Sequence, residues 1–229
     1  MRSNVKETLL RNAAALFSRS GYNAVSLRDV ARASGVNVGS LTYHFGSKAN
    51  LLREVYLRHT QPMNARRLEL LGEARRIINP DERLIAILRA YVVPAFISSS
   101  EGDGGGAEFT RMRAVLSAEG NPDAQAIIAD AFDATSRSFI AALSDCIEGA
   151  PIDGLVWQSQ FLLGALYYAL INPERVTRLS NGAVDGSDME AAVNHIVEAS
   201  YASFRSLSKT PAKVREQASH TNSGEHIQT

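Results

Sequence analysis

The chain is predicted to be all-α: an N-terminal three-helix head carrying a helix-turn-helix, then a larger helical body, about nine helices in all. Three observations predict this. The segment Ser26–Leu51, SLRDVARASGVNVGSLTYHFGSKANL, reads as two short helices around a tight turn, with a third following at once. Apolar residues recur at helical spacing between cap and proline signals along most of the rest, with no convincing strand and no internal repeat. Charge is also uneven. Residues 1–59 hold nine basic side chains (Arg2, Lys6, Arg11, Arg19, Arg28, Arg32, Lys48, Arg53, Arg58) against three acids (Glu7, Asp29, Glu54), although the whole chain balances 24 against 24. A basic head on an acidic body is the pattern of a phosphate-binding module joined to one that does not bind DNA.

The first helix is expected over Asn4–Ser20, where Val5, Leu9, Ala13, Leu16 and Phe17 line one face. Ser26 is placed to cap Leu27–Ala33, with Asp29 as the reciprocal partner. Gly35 suits the left-handed residue that ends that helix, and Val36 fills the turn. Asn37 then caps Val38–His44. Leu27, Val30, Ala31, Val36, Leu41 and Phe45 are the expected core of this unit. Its outward residues, Gly39, Ser40, Thr42, Tyr43 and His44, are of the kind that approach base edges and phosphates.

Behind the head, Ser47 caps a fourth helix running toward Ile78, with Pro62 expected to kink or break it. Asn79-Pro80-Asp81-Glu82 opens a helix to about Ile97. A glycine-rich loop over 98–107 is too polar to fold alone. Helices resume at Ala107–Glu119 and, after Asn121-Pro122-Asp123, continue to about Glu148. Leu155–Ile171 is apolar nearly all round. Ser187–Glu190 reads as a full capping box before a last helix with Met189, Val193, Ile196, Val197, Tyr201 and Phe204 on one face. The expected division is 1–50 head, 51–207 body and 208–229 disordered tail.

At 229 residues and 45% hydrophobic content the chain can bury a sizeable core. No apolar run is expected to span a bilayer, and the N-terminus lacks a signal-peptide core. The single cysteine, Cys146, lies among Phe139, Leu143 and Ile147, suggesting buried packing and a reducing, cytoplasmic setting. The histidines, His44, His59, His195, His220 and His226, have no metal-ligand spacing. The GDGGG run has no phosphate-loop lysine, and no Gly-x-Ser-x-Gly elbow occurs. Neither catalysis nor a cofactor or metal is expected.

Residues 9–51 resemble the DNA-binding domain of the TetR family of bacterial transcriptional repressors. The resemblance rests on Ala14-Ala-Leu-Phe17, Gly21-Tyr22, Ser26-Leu27-Arg28-Asp29-Val30-Ala31, Gly35-Val36, Gly39-Ser40-Leu41, Tyr43-His44-Phe45 and Ser47-Lys48. It implies that Ser26, Tyr43, His44 and Lys48 meet phosphates, with Arg28, Asn37, Val38, Gly39, Ser40 and Thr42 near base edges. Thr42 departs from the aromatic residue common at that position. Lys48 at a helix N-terminus would make a phosphate seat.

The implied partners are double-stranded DNA, a second copy of the chain and a small effector, with no membrane. Two-turn recognition helices read few bases, so a homodimer on a palindrome is the physical solution. Its interface is expected on the last two amphipathic helices, through Gly164, Ala165, Val193, Val197 and Phe204. The expected effector lining is Tyr91, Phe96, Phe109, Met112, Phe132, Phe139, Trp157, Phe161 and Tyr167, a mostly neutral aromatic set suited to an apolar ligand. The run Trp157-x-x-x-Phe161-Leu-Leu-Gly164-Ala165-Leu166 is similar to fatty-acid-responsive members, which implies a fatty acid or acyl-CoA. Arg111 or Arg113 is placed either to meet a carboxylate or to sit in solvent. The alternative is a body that recognises a protein partner.

Overall fold

The computed structural model describes residues 2–96 and 106–209, and the described residues form ten α-helices and a 3-10 turn, with no strand. In order these are α1 (Arg2–Ala24), α2 (Leu27–Ala33), α3 (Val38–Phe45), α4 (Lys48–Ala74), α5 (Pro80–Phe96), α6 (Gly106–Glu119), α7 (Pro122–Cys146), α8 (Ile152–Ile171), α9 (Glu174–Leu179) and α10 (Met189–Ser206). The 3-10 turn is Leu207–Lys209. Most of the expected glycine-rich loop and of the tail lies outside the described residues.

Local signals placed the head well. Both halves of the Ser26–Asp29 capping box form, the Asp29 N–H donating to Ser26 Oγ at 3.2 Å and the Ser26 N–H to Asp29 Oδ2 at 3.0 Å. Asn37 and Ser47 cap α3 and α4 through the amides of Ser40 and Asn50. Elsewhere several expectations shift. Pro62 lies inside α4 without ending it; its ring is on the exposed side, where water can satisfy the carbonyl it deprives of a partner. α9 has no apolar stripe to announce it. The N-cap of α10 is Asp188, which accepts from the Ala191 amide, while Ser187 turns back to Asp185.

Two apolar cores organise the molecule. One gathers Leu71 of α4, Leu84 to Phe96 of α5, Phe139 and Leu143 of α7, Leu155, Leu162 and Leu166 of α8, and Val193, Val197 and Phe204 of α10. The other joins Leu9, Phe17, Val30, Leu41, Phe45 and Tyr56 of the head side to Phe109, Met112 and Leu116 of α6 and Ile127 and Phe132 of α7. Tyr56 sits at the seam, edge-on to Phe109 at 5.1 Å and to Phe132 at 6.5 Å. Fully burying each such ring contributes about 1.5–3 kcal/mol. The head therefore rests on body side chains as part of one core.

A polar clamp fixes the same seam. Inside α1 the backbone breaks at Gly21, with φ 74° and ψ 179°. The amides of Tyr22 and Asn23, freed by that break, donate to Glu119 Oε2 at 2.5 Å and Oε1 at 3.3 Å. Asn121 Nδ2 adds a bond to Asn23 Oδ1 at 2.7 Å, while Asn121 Oδ1 caps α7. A Cβ at residue 21 would run into the Glu119 carboxylate. Gly21→Ala is therefore expected to cost about 1–3 kcal/mol, from backbone strain and the displaced carboxylate. Urea unfolding checks this, and an unchanged midpoint would contradict the clamp.

Candidate nucleic-acid interface and ligand cavity

The α2–turn–α3 unit is closed from inside by Val30, Ala31, Leu41 and Phe45, all buried, with Leu27 and Val36 packed against them. Gly35 takes φ 67° as α2 ends. This packing turns Ser26, Arg28, Asn37, Val38, Gly39, Thr42 and Tyr43 to solvent and leaves Ser40, His44 and Lys48 half-buried. Tyr43 is 82% exposed, its ring touching only the edge of His44 at 5.6 Å. A large ring so bare gains nothing from the fold. At Gly39 an added Cβ would crowd Asn37 Oδ1, the cap of α3, at 3.3 Å. Arg28 is exposed and makes no bond or ion pair with another described residue.

Lys48 differs from the expected phosphate seat. Its ammonium points inward, donating to the carbonyls of Tyr22 and Val25, both at 2.9 Å, and lies 4.1 Å over the Tyr22 ring. Two of its three N–H groups thus tie the start of α4 to the strand of chain that Glu119 holds from the other side. Lys48 is foremost a brace, with one donor left over.

In the body, a cavity of about 450 Å³ opens between α5, α6, α7 and α8. Its walls include Ile87, Leu88 and Tyr91 of α5, Arg113 and Ser117 of α6, Ser136, Phe139 and Leu143 of α7, and Ser159, Leu162 and Tyr167 of α8. The size falls within the roughly 300–1,000 Å³ of small-molecule sites. Of the expected lining, Tyr91, Phe139 and Tyr167 are there. Phe109, Met112 and Phe132 instead belong to the head core, and Phe96 to the body core. Trp157 and Phe161 point outward, their rings tilted against each other at 5.9 Å on the surface. Helical spacing shows which aromatics share a face, not whether a cavity or a neighbouring helix covers it.

Arg111 donates Nε and Nη2 to the Leu170 carbonyl, at 3.2 and 2.9 Å, and so closes the end of α8. Arg113 is buried on the cavity wall. Sequence reasoning missed Arg67, which is fully buried, donates Nε to the Tyr91 carbonyl at 3.0 Å and lies 4.2 Å over the Tyr91 ring. Burial pushes its guanidinium down to about 10. A signal was present: Arg67 continues the buried spacing Tyr56, Thr60, Met63, Leu71 on α4.

The expected interface residues divide. Val193, Val197 and Phe204 are buried in the protomer's own core, because the apolar stripe of α10 packs on α5 and α8. They are not available to a second copy. Gly164 and Ala165 are exposed, on the outer face of α8 with Ile152, Trp157, Phe161, Tyr168 and Ile171. By length and composition α8 could cross a membrane, contrary to expectation; its inner row, Leu155, Leu162, Leu166 and Leu170, is nonetheless packed in the body core. Among the described residues no cluster of His, Cys, Asp or Glu is placed to hold a metal ion.

Residues 9–55 match the family described as bacterial regulatory proteins, tetR family, and residues 89–202 match a tetracyclin repressor-like C-terminal domain. The chain is 32% identical over 95 residues to the HTH-type transcriptional repressor KstR2 of Rhodococcus jostii, a match covering 42% of this chain and 43% of that protein. The aligned part thus spans less than half of that relative. A protein from Saccharomonospora viridis, crystallised with choline, superimposes with TM-score 0.57 at 19% identity, covering 86% of this chain and 96% of the other. The fatty acid degradation regulator FadR from Bacillus halodurans does so with TM-score 0.53 at 12% identity, covering 86% and 94%. At such identities the likeness is one of fold. The two family matches fall on the helix-turn-helix head and on the cavity-bearing body, and together they cover more than two thirds of the sequence: the chain belongs to the TetR family of bacterial transcriptional regulators.

Proposed function

We propose that the protein is a homodimeric repressor that reads a palindromic DNA operator in the bacterial cytoplasm and lets go when a small, largely apolar effector enters the α5–α8 cavity. The observation that carries this reading is the solvent-facing side of α2–α3. Arg28, Thr42 and Tyr43 are exposed there without a side-chain hydrogen bond to another described residue, beside Gly39 and the cap Asn37, and the head core does not need them. Ser26, Tyr43, His44 and the spare donor of Lys48 serve phosphates; Arg28, Asn37, Val38, Gly39, Ser40 and Thr42 face base edges. KstR2, a repressor by name, supports the same output.

The effector reading is favoured over a protein-binding body by the cavity itself, because α6 lines it with Arg113 and Ser117 and two residues later holds the head through Glu119. A ligand that prefers one placement of α6 shifts the head by its differential affinity for the two placements, and operator binding is weakened in proportion. The second copy is assigned to the outer face of α8. Trp157, Phe161, Gly164, Ala165 and Tyr168 recur there at i, i+4, i+7, i+8 and i+11, a stripe that matches a partner helix.

Selection of bound duplexes from a random library tests the reading: enrichment of a palindrome supports it, and no enrichment, or binding flat between low and moderate salt, contradicts it. On the selected operator, Thr42→Ala is expected to relax preference at one base pair by about 1–3 kcal/mol. Lys48→Met should instead weaken all sequences alike and lower the melting temperature, since it removes the brace on Tyr22 and Val25. Unchanged melting would refute the bracing role. Phe161→Glu is expected to give a folded monomer by analytical ultracentrifugation, with operator affinity down at least about 100-fold. A dimer that survives would place the interface elsewhere.

A further inference from the structure

Arg113 brings to the cavity a positive charge that nothing in the fold neutralises. The residue is 6% exposed, its guanidinium lies 3.6 Å over the Phe132 ring, and its Nε–H has no acceptor. Arg67, 1% exposed, lies 4.2 Å over the Tyr91 ring with Nη1 unpartnered. Among the described residues neither guanidinium lies within ion-pair range of a carboxylate. Asp133, the acid on the cavity lining, is exposed and faces Arg137 at 3.7 Å. The Tyr91 phenol registers the field of both cations: burial pushes it up, but Arg67 and Arg113, with a hydrogen bond from Ser136, more than reverse this and hold it below the ordinary tyrosine value.

Two cations kept dry without a counter-ion destabilise the empty protein, and the penalty falls when an anion arrives. We propose that the cavity is built for an amphipathic carboxylic acid, bound as its carboxylate on the Arg113 guanidinium with its apolar body against Leu88, Phe139, Leu143 and Leu162. This rests on the reading of the cavity as the effector site. The Tyr91 hydroxyl, which accepts from Ser136, also lines the cavity and supplies a further donor. A planar fork matches a carboxylate. A phosphate dianion is disfavoured, because Arg67 is buried off the cavity lining and only the Arg113 guanidinium reaches it. A cationic ligand would add a third positive charge to the site.

Isothermal titration calorimetry on the full chain tests this with octanoate and 4-phenylbutyrate, the matched alcohols 1-octanol and 4-phenyl-1-butanol, octyl phosphate and octyltrimethylammonium. At least one acid is expected to bind about tenfold or more tighter than its alcohol, and tighter than the phosphate or the ammonium. In Arg113→Gln that preference should collapse to within about threefold, with alcohol binding little changed. Arg113→Lys, which keeps the charge and loses the fork, should fall between the two and serves if the glutamine variant does not fold. Equal binding of acid and alcohol by the wild type overturns the proposal. So do tightest binding of phosphate or ammonium, an acid preference that survives Arg113→Gln, and failure of every probe to bind. Operator release separates the two readings. Acids that bind without releasing DNA leave the carboxylate site standing and remove the effector role. Alcohols that release DNA as well as acids do the reverse.

Discussion

The Glu119 carboxylate is the contact on which the arrangement of head and body depends. It accepts the Tyr22 and Asn23 amides at the one place where α1 breaks, and Gly21 leaves it room to do so. From the opposite side Lys48 holds the carbonyls of Tyr22 and Val25. The last turn of α1 and the residue after it are thus gripped by an anion on N–H groups and a cation on C=O groups. Beneath it Phe109, Met112 and Leu116 of α6 lie in the same apolar core as Phe17, Leu41 and Phe45. Polar and apolar contacts agree on the same seating, so the recognition surface is positioned by α6 as much as by its own three helices.

The body resolves a different conflict. Arg67 and Arg113 occupy places where the helical register calls for apolar side chains, and aromatic faces take up part of the burden: Tyr91 over Arg67, Phe132 beside Arg113. Cation–π contacts of about 2 kcal/mol each do not offset the loss of hydration of a buried guanidinium. Local rules are broken in this way where a site has a use for the breach. Here Arg113 is the one that reaches the wall of the cavity, and it is on α6, the helix that also carries Glu119.

The head was largely legible in the sequence because its determinants are short-range. Ser26 with Asp29, Asn37 with Ser40 and Gly35 with Val36 are relations over a few residues, and the structure forms each of them. The body was legible as helices but not as faces. The stripe Val193, Val197, Phe204 shows that α10 has an apolar side; that α5 and α8 of the same protomer cover it depends on contacts far along the chain, 105 residues apart between Arg89 and Asn194 and 45 between Gln158 and Ser203. The same gap sent Phe109, Met112 and Phe132 to the cavity in expectation and to the head core in fact, while Trp157 and Phe161 went to the surface. Glu119 gave no local sign at all, since its partners are backbone amides 97 and 96 residues away. Arg67 and Arg113 did give one, as charges in apolar register on α4 and α6.

The most direct test of this account is site-resolved amide hydrogen exchange in the wild type and in Glu119→Ala. Charge-assisted bonds to the Tyr22 and Asn23 amides are worth about 1.5–3 kcal/mol, which corresponds to roughly 10–100-fold in the opening equilibrium. Protection across residues 22–45 should therefore fall by that factor in the variant, while α8 and α10 keep theirs. Unchanged protection over the head would mean that α6 does not hold it, and the proposed link between cavity and recognition surface would fail.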